Sequence, residues 1–252
     1  MSISTVVPSK QTWAVKANRL LYHFNRNWWF VISLLLGLYV GLPFLAPVFM
    51  KLGWAGAANA IYLIYATQCH QLPQRSFFLF GPQAMYSLGD VQAAWQTTQN
   101  PLVLRQFIGN AEMGWKVAWS DRMVSLYTSL FAAGLLYWPL RKWLKPLPLW
   151  AFALFALPMA LDGGTHFISD LAGIGSGFRD SNAWLAALIG DALPAAFYAG
   201  DSLGSFNSWA RLFSGIVFGI GLVWLAYPYL NEWFAETTAE IENKFRNAGL
   251  SL

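Results

Sequence analysis

The sequence is poor in charged residues and has a single cysteine, and each shortage excludes a class of protein. Only 11% of the 252 residues are charged, whereas soluble domains average about 25%, so a large soluble enzyme is excluded. One cysteine, Cys69, cannot form a disulfide within the chain, which excludes a disulfide-stapled secreted domain. The net charge is +4, but the sequence contains no Lys/Arg-rich run, so nothing indicates binding to nucleic acid.

Hydrophobic residues are abundant and lie in long uncharged runs. They make up 56% of the chain, which also excludes a disordered protein. The run from Trp28 to Met50 is 23 residues long, enough at about 1.5 Å per residue to cross a hydrocarbon core of ~30 Å. We therefore predict an all-α, polytopic membrane helix bundle, a multi-pass protein of the cell membrane. We expect about five transmembrane helices within residues 28–231, at about 28–50, 52–70, 123–140, 147–169 and 212–231.

The segments outside these spans are predicted to lie at the membrane surface. Residues 1–27 mix basic and apolar residues, as an N-terminal interfacial segment does, and residues 232–252 form an amphipathic C-terminal tail. Two polar insertions, 71–122 and 170–211, separate the spans, and the first is expected to form short amphipathic helices. With five crossings, the N-terminus and both insertions share one side of the membrane. The positive-inside rule favours a cytoplasmic N-terminus, whereas the basic turn 141–145 favours the opposite orientation.

Polar residues fall at matching ends of four consecutive spans, which predicts a common site near one membrane face. Asp162, His166 and Asp170 are four residues apart and would lie on one stripe of a helix. One imidazole with two carboxylates is a ligand set typical of Zn²⁺, Mn²⁺ or Fe²⁺, and His70 and Cys69 are the further candidate ligands. The alternative is that Asp162 and His166 form only a hydrogen-bonded pair that stabilises the helix.

Arg75 follows Pro73, which should end or bend the second span and turn the arginine back across the site. Arg75 either holds a phosphate or carboxylate of a ligand, or balances the charges of nearby aspartates. The candidate catalytic residues are Asp162, His166 and Arg75. Cys69 is either a ligand or a small packing residue.

Three motifs resemble a prokaryotic integral membrane family of unknown function, DUF2085. They are Cys69–Phe78 (CHQLPQRSFF), Ser120-Asp121-Arg122 leading to Tyr127, and Pro158–Gly163 (PMALDG). The resemblance covers roughly residues 55 to 230. It implies a membrane fold and a role for these positions, but it carries no reaction.

This chain departs from the family pattern at three positions. Members of the family typically have a Cys-x-x-Cys pair where this chain has Ser120 and Met123, and commonly have Gln where it has His166. If the family's cysteines bind a metal, two thiolates are missing here. The site is then either lost or replaced by histidine and aspartate ligands.

Three functions are compatible with these features. The first is a membrane enzyme, with a candidate divalent metal, that acts on a lipid or isoprenoid substrate. The second is a small transporter or a pathway for ions or protons, because buried Asp and His residues are equally typical of those proteins. The third is a non-catalytic subunit or assembly factor. The expected partners are membrane lipids, with a protein partner or a second copy of the chain as further candidates, and no cofactor other than the metal is expected.

Overall fold

The computed structural model describes residues 9–252, which form a mainly helical bundle. Four of its helices are long and apolar enough to cross a membrane. They are α2 (Trp28–Lys51), α6 (Asp121–Leu140), α7 (Leu149–Asp170) and α11 (Phe206–Asn247). The shorter helices are α1 (Ser9–Arg26), α3 (Ala55–Tyr65), α4 (Leu88–Ala94), α5 (Pro101–Leu104), α8 (Phe178–Ser181), α9 (Ala183–Ile189) and α10 (Ala195–Tyr198). The predicted all-α membrane helix bundle is confirmed.

The range 52–70, expected to be a span, contains only the 11-residue helix α3. At about 1.5 Å per residue α3 is ~16 Å long, roughly half of a bilayer core. It runs back along the second half of α2, where the Tyr65 hydroxyl donates a hydrogen bond to the Tyr39 carbonyl. The helix ends at Tyr65, and the chain turns toward the first insertion at Gln71, whose side-chain amide donates to the carbonyls of Tyr62 and Ala118.

The four long helices alternate in direction, so the bundle has two distinct ends. At one end Trp28 packs against Tyr137, Tyr227 and Phe234, and helix α1 lies there along the last turns of α11. At the other end lie both polar insertions. The N-terminal helix is therefore on the opposite side from the insertions, which differs from the five-crossing arrangement, because α3 does not add a crossing.

Helices α6 and α11 pack closely through small residues. Gly215 and Gly219, one turn apart on α11, face Ser125 and Ser129 of α6, and a Cβ at either glycine would collide with the serine hydroxyl. Small residues at this spacing let two helix backbones approach closely in a bilayer. The contact fixes the start of α11 beside the start of α6.

The first insertion contains a β-sheet, which the sequence analysis did not predict. Strands β1 (Ser76–Leu79), β2 (Gly109–Asn110) and β3 (Gly114–Ser120) form an antiparallel sheet in the order β1-β3-β2. Trp119 of β3 is fully buried, stacks on Tyr127 of α6 and packs edge-on against Tyr39 and Tyr65. The short amphipathic helices that were expected are present as α4 and α5, but β3 connects the insertion to the membrane helices.

The second insertion is held to α11 by two buried asparagines. The Asn207 amide donates to the carbonyls of Arg179 and Gly200, and the Asn182 amide donates to the carbonyls of Arg179 and Tyr198. These bonds satisfy backbone carbonyls that would otherwise be buried without partners. They also fix Arg179 at the end of the bundle where α6 and α11 begin.

Candidate functional site

The polar ends of the long helices meet in one layer, as the sequence pattern predicts. Asp121 begins α6, Arg211 lies in the second turn of α11, and His166 lies one turn before the end of α7. The lipid-facing side of α7 remains apolar at this depth, since Phe167 is 68% exposed and Ile168 is 60% exposed. The layer of polar side chains therefore lies at the edge of the apolar outer surface of the bundle.

Asp201, from the second insertion, is the centre of the first group of ion pairs. Its carboxylate accepts hydrogen bonds from Arg211 Nη1 at 2.6 Å and from Arg75 Nε at 2.7 Å. Arg211 Nε donates to both carboxylate oxygens of Asp121 at 2.8 Å. Arg75 also donates to both oxygens of Asp170, at 2.7 and 2.8 Å. Arg75 thus has the charge-balancing role that the sequence left as one of two alternatives.

Asp162 is the centre of a second group. Its carboxylate accepts from Arg122 Nη2 at 2.7 Å and from Arg179 Nη2 at 2.9 Å. The Ser214 hydroxyl lies 3.3 Å from the same carboxylate. Two guanidinium groups therefore compensate one buried carboxylate.

The two groups together contain equal numbers of arginine and aspartate side chains. These are Arg75, Arg122, Arg179 and Arg211 with Asp121, Asp162, Asp170 and Asp201. Burial raises the pKa of Asp201, but Arg75 and Arg211 outweigh that effect and hold it well below its usual value. Burial opposes the charge of Arg75, and Asp201 and Asp170 nevertheless raise its pKa. The Asp201 carboxylate and the Arg75 guanidinium therefore both stay ionised at neutral pH.

Both ring nitrogens of His166 have partners. Nδ1 lies 3.1 Å from the Asp162 carbonyl oxygen and 3.2 Å from its carboxylate, so Nδ1 carries the proton and donates. Nε2 lies 3.3 Å from Nη1 of Arg211 and 3.7 Å from the Asp201 carboxylate. The Asp162–His166 hydrogen bond is the alternative that the sequence analysis set beside metal binding.

His70 is oriented by the backbone that follows it. Its Nδ1 accepts a hydrogen bond from the amide of Leu72 at 3.1 Å. In the neutral ring the proton is then on Nε2, which makes that nitrogen a donor. The side chain is exposed.

Cys69 is buried, and its thiol accepts hydrogen bonds from two backbone amides and donates one to the Ser120 hydroxyl. Its Sγ lies 3.3 Å from the amide nitrogen of Ser120, 3.5 Å from the Ser120 hydroxyl and 3.4 Å from the amide of Gln71. The thiol therefore helps to fix the start of α6 against residues 69–71.

The predicted metal ligands were His70, Asp162, His166, Asp170 and Cys69. In residues 9–252, no three His, Cys, Asp or Glu side chains are grouped as a metal site. The residues present do not fit a divalent cation, because guanidinium groups already engage the carboxylates of Asp162 and Asp170. His166 likewise has no free nitrogen. The metal remains a prediction without structural support.

A cavity of about 230 Å³ brings most of the predicted residues together. We call it the first cavity. Five of the six predicted site residues line it, and the sixth, Asp162, is not among the lining residues. The lining residues are Gln68, Cys69, His70, Arg75, Ser120, Arg122, Met123, Gly163, His166, Phe167, Asp170 and Arg211.

Sequence reasoning missed two central residues of the ion-pair groups, Arg179 and Asp201. Both lie in the second insertion, which has no hydrophobic periodicity to locate them. The one feature of the sequence that could have identified Arg179 and Asp201 is their charge. A charged residue in a chain so poor in charges is expected to have a partner of opposite charge if it is buried. Arg211 and Asp121 lie in the sequence near the ends of uncharged runs, where charged residues are ordinary, and both are almost fully buried.

Comparisons with known proteins show a similarity to one family and give no activity. An uncharacterized protein of Methanocaldococcus jannaschii is 29% identical over 133 residues, which are 50% of this chain. The chain spans only 64% of the length of that relative. No solved structure matches. Residues 111–225 match the model of the family described as predicted membrane protein (DUF2085), which confirms the resemblance over the range that contains Ser120-Asp121-Arg122 and Pro158–Gly163; the Cys69–Phe78 motif lies outside the match.

Proposed function

We propose that this protein is a multi-pass protein of the cell membrane whose first cavity binds the anionic headgroup of an amphiphilic molecule. The ligand chemistry is a phosphate or carboxylate group carried on an apolar chain. One observation carries the proposal. The hydrogen-bonding groups of the cavity that remain without partners are donors, whereas its carboxylate is already paired.

Arg122 supplies the main donor. Only its Nη2 is engaged by a carboxylate, that of Asp162. Its Nε is buried and has no hydrogen-bond partner within residues 13–252, and its Nη1 lies near Gly163, which lines the cavity together with Arg122. A guanidinium with free N–H groups in a partly buried site binds phosphate or carboxylate oxygens strongly.

The remaining lining supports the same charge preference. His70 presents Nε2 as a donor because its Nδ1 accepts from the Leu72 amide. The lining includes three arginines against one aspartate, Asp170, whose two oxygens both accept from Arg75. An anion entering the cavity therefore meets the free N–H groups of Arg122 and no unpaired carboxylate that would repel it.

The position of the cavity favours an amphiphile over a free anion. Gly163 and Phe167 line it from α7, and Phe167 is largely exposed on the apolar surface of that helix. An apolar chain can lie along this surface while its headgroup enters the cavity. Membrane lipids, the predicted partners, meet both requirements.

The geometry supports binding better than the catalytic and transport alternatives. His166 and Asp162, the candidate acid-base pair, are both fully engaged by other groups of the protein. A path for ions or protons would need ionisable residues through the bundle, but α6 and α7 carry no charged residue beyond this layer. A subunit role is compatible with ligand binding.

The test uses the full chain in a polyoxyethylene-ether detergent with dodecyl phosphate, dodecyltrimethylammonium and inorganic phosphate as probes. We expect dodecyl phosphate to raise Tm and to bind in calorimetry, the cationic amphiphile to do neither, and inorganic phosphate to bind more weakly. Arg122→Gln should weaken binding of dodecyl phosphate roughly tenfold or more, because a charge-assisted hydrogen bond contributes about 1.5–3 kcal/mol.

The matched control is Arg141→Gln at the opposite end of the bundle, where Arg141 stacks on Trp138. It should bind like the wild type. Equal binding of the cationic and anionic amphiphiles, or an unchanged affinity in Arg122→Gln, would rule out the anion site. Equal affinity for inorganic and dodecyl phosphate would show that the apolar chain plays no part.

A further inference from the structure

A second cavity, of about 280 Å³, lies between the two insertions. From the first insertion, Gln74, Ser87, Leu88 and Gly89 line it. From the second insertion, Ile174, Gly175, Asp180, Ala199, Gly200, Asp201 and Ser202 line it. It is separated from the first cavity by the ion pair between Arg75 and Asp201, since Arg75 lines one cavity and Asp201 lines the other.

Gln74 is the residue that points to a ligand. Its side chain is 1% exposed, and neither its Oε1 nor its Nε2 has a hydrogen-bond partner within the described residues. Buried amides are paired in the great majority of cases, because an unpaired one loses its hydration without compensation. An amide that lines a cavity with both a donor and an acceptor free is suited to a ligand hydroxyl, which can accept from one and donate to the other.

Asp180 gives this cavity the opposite charge preference from the first. Its Oδ2 accepts from the amide of Gly177 at 2.8 Å, and no Lys, Arg or His of residues 9–252 forms an ion pair with it. The carboxylate of Asp201 is already compensated by Arg75 and Arg211. Asp180 is thus a half-buried carboxylate that lacks a cation.

We propose that the second cavity binds a small ammonium compound that carries hydroxyl groups, of the amino-alcohol or amino-sugar class. The ammonium group donates to the Asp180 carboxylate. A hydroxyl group of the ligand pairs with both ends of the Gln74 amide. A volume of about 280 Å³ is close to the lower limit of ordinary ligand cavities, so the ligand is no larger than a single sugar ring.

Calorimetry and thermal stability of the full chain test this site with glucosamine, ethanolamine and glucose. The polyoxyethylene-ether detergent is chosen because it contains neither a sugar nor an amine. We expect glucosamine and ethanolamine to bind, and glucose, which has the same ring but no ammonium group, to bind roughly tenfold or more weakly.

Two variants separate binding from folding. Gln74→Leu should fold with a Tm at or above that of the wild type, since it removes a buried amide without a protein partner, and it should lose glucosamine binding. Asp180→Asn keeps the oxygen that accepts from Gly177 and should abolish the preference for glucosamine over glucose. Gln106→Leu, the same substitution on an exposed glutamine, should bind like the wild type.

Three results would overturn the proposal. One is the absence of binding by both amines at tens of millimolar, which would mean that the cavity holds only water. Another is binding of glucose as tight as that of glucosamine. The third is unchanged binding in Gln74→Leu and Asp180→Asn. None of these results bears on the first cavity, whose expected ligand is an anion.

Discussion

Lys116 shows how one buried charge sets a pH dependence. It lies on β3, is fully buried, and donates through Nζ to the carbonyls of Gln71 at 2.8 Å and Arg105 at 2.6 Å. No carboxylate of residues 9–252 pairs with it. Burial lowers the pKa of Lys116 from 10.5 to about 7. Between these two values the unfolded chain binds a proton that the folded protein does not, so stability rises with pH across this window.

Replacing Lys116 with methionine should remove this contribution. From pH 6 to pH 9 the wild type should gain about 2–3 kcal/mol of unfolding free energy from this residue. Lys116→Met should lack that gain, measured as Tm or as resistance to denaturing detergent at both pH values. The control is Lys51→Met, since Lys51 is exposed at the end of α2. An identical pH slope in Lys116→Met and wild type would contradict the lowered pKa.

Asp201 is the residue whose loss should cost the protein most stability. Asp201→Asn keeps the size of the side chain but removes the charge that compensates Arg75 and Arg211, both nearly fully buried. Breaking a buried ion pair in this way typically costs about 3–5 kcal/mol. We expect a correspondingly lower Tm, whereas Asp191→Asn, an exposed aspartate of the same insertion, should leave Tm unchanged. A tolerated Asp201→Asn would mean that the arginines do not depend on this carboxylate.

At the scale of elements, the contact between α6 and α11 predicts an unusual response to alanine. Gly→Ala normally stabilises a helix interior. At Gly215 the added methyl group would collide with Ser125 Oγ and lie 2.9 Å from the Arg122 carbonyl oxygen. Gly215→Ala should therefore destabilise the protein by about 1–3 kcal/mol, measured as a fall in Tm. In Gly164→Ala on α7, where the methyl group meets nothing within 4 Å, Tm should be unchanged or higher, and a similar gain in both variants would exclude close packing at Gly215.

The elements that could be predicted are those whose pattern is local. Long uncharged runs locate α2, α6 and α7, and the four-residue spacing places Asp162, His166 and Asp170 on one helix. The sheet was missed because β3 (GWKVAWS) is buried on both faces, so its side chains do not alternate between apolar and polar. The length of the helix expected at 52–70 was overestimated. Hydropathy alone cannot detect that the chain turns at Gln71 and forms hydrogen bonds with β3.

At the scale of the whole molecule, the sequence predicts that the polar helix ends meet, but it does not predict which of their side chains pair with one another. The sequence identifies His70, Arg75 and His166 as neighbours of one site, and all three line the first cavity. Whether His166 is free or engaged depends on Arg211 Nη1 at 3.3 Å, a contact between residues 45 positions apart. Arg179 and Asp201 come from a loop region whose path is set by Asn182 and Asn207, and no periodicity reveals such contacts.

Four crossings in place of five also change the expected orientation. Helix α1, the end of α11 and the turn 141–148 lie at one end of the bundle. Nine of the sixteen Lys and Arg residues lie at this end: Lys10, Lys16, Arg19, Arg26, Arg141, Lys142, Lys145, Lys244 and Arg246. At the other end most are buried in ion pairs or, like Lys116, bonded to carbonyls. The conflict between the N-terminal segment and the basic turn therefore disappears, and from the positive-inside rule we predict that this end of the bundle faces the cytoplasm and that both cavities face the outer side.

This orientation can be tested with single cysteines, because the chain has only one of its own. In a Cys69→Ser background, Thr97→Cys places a thiol on the first insertion and Lys142→Cys places one on the turn, both at exposed positions. We expect a membrane-impermeant maleimide to label the first in intact cells and the second only after lysis. The reverse pattern would put both cavities in the cytoplasm. Labelling of both positions in intact cells would mean that the turn and the insertion share a side, which four alternating helices do not allow.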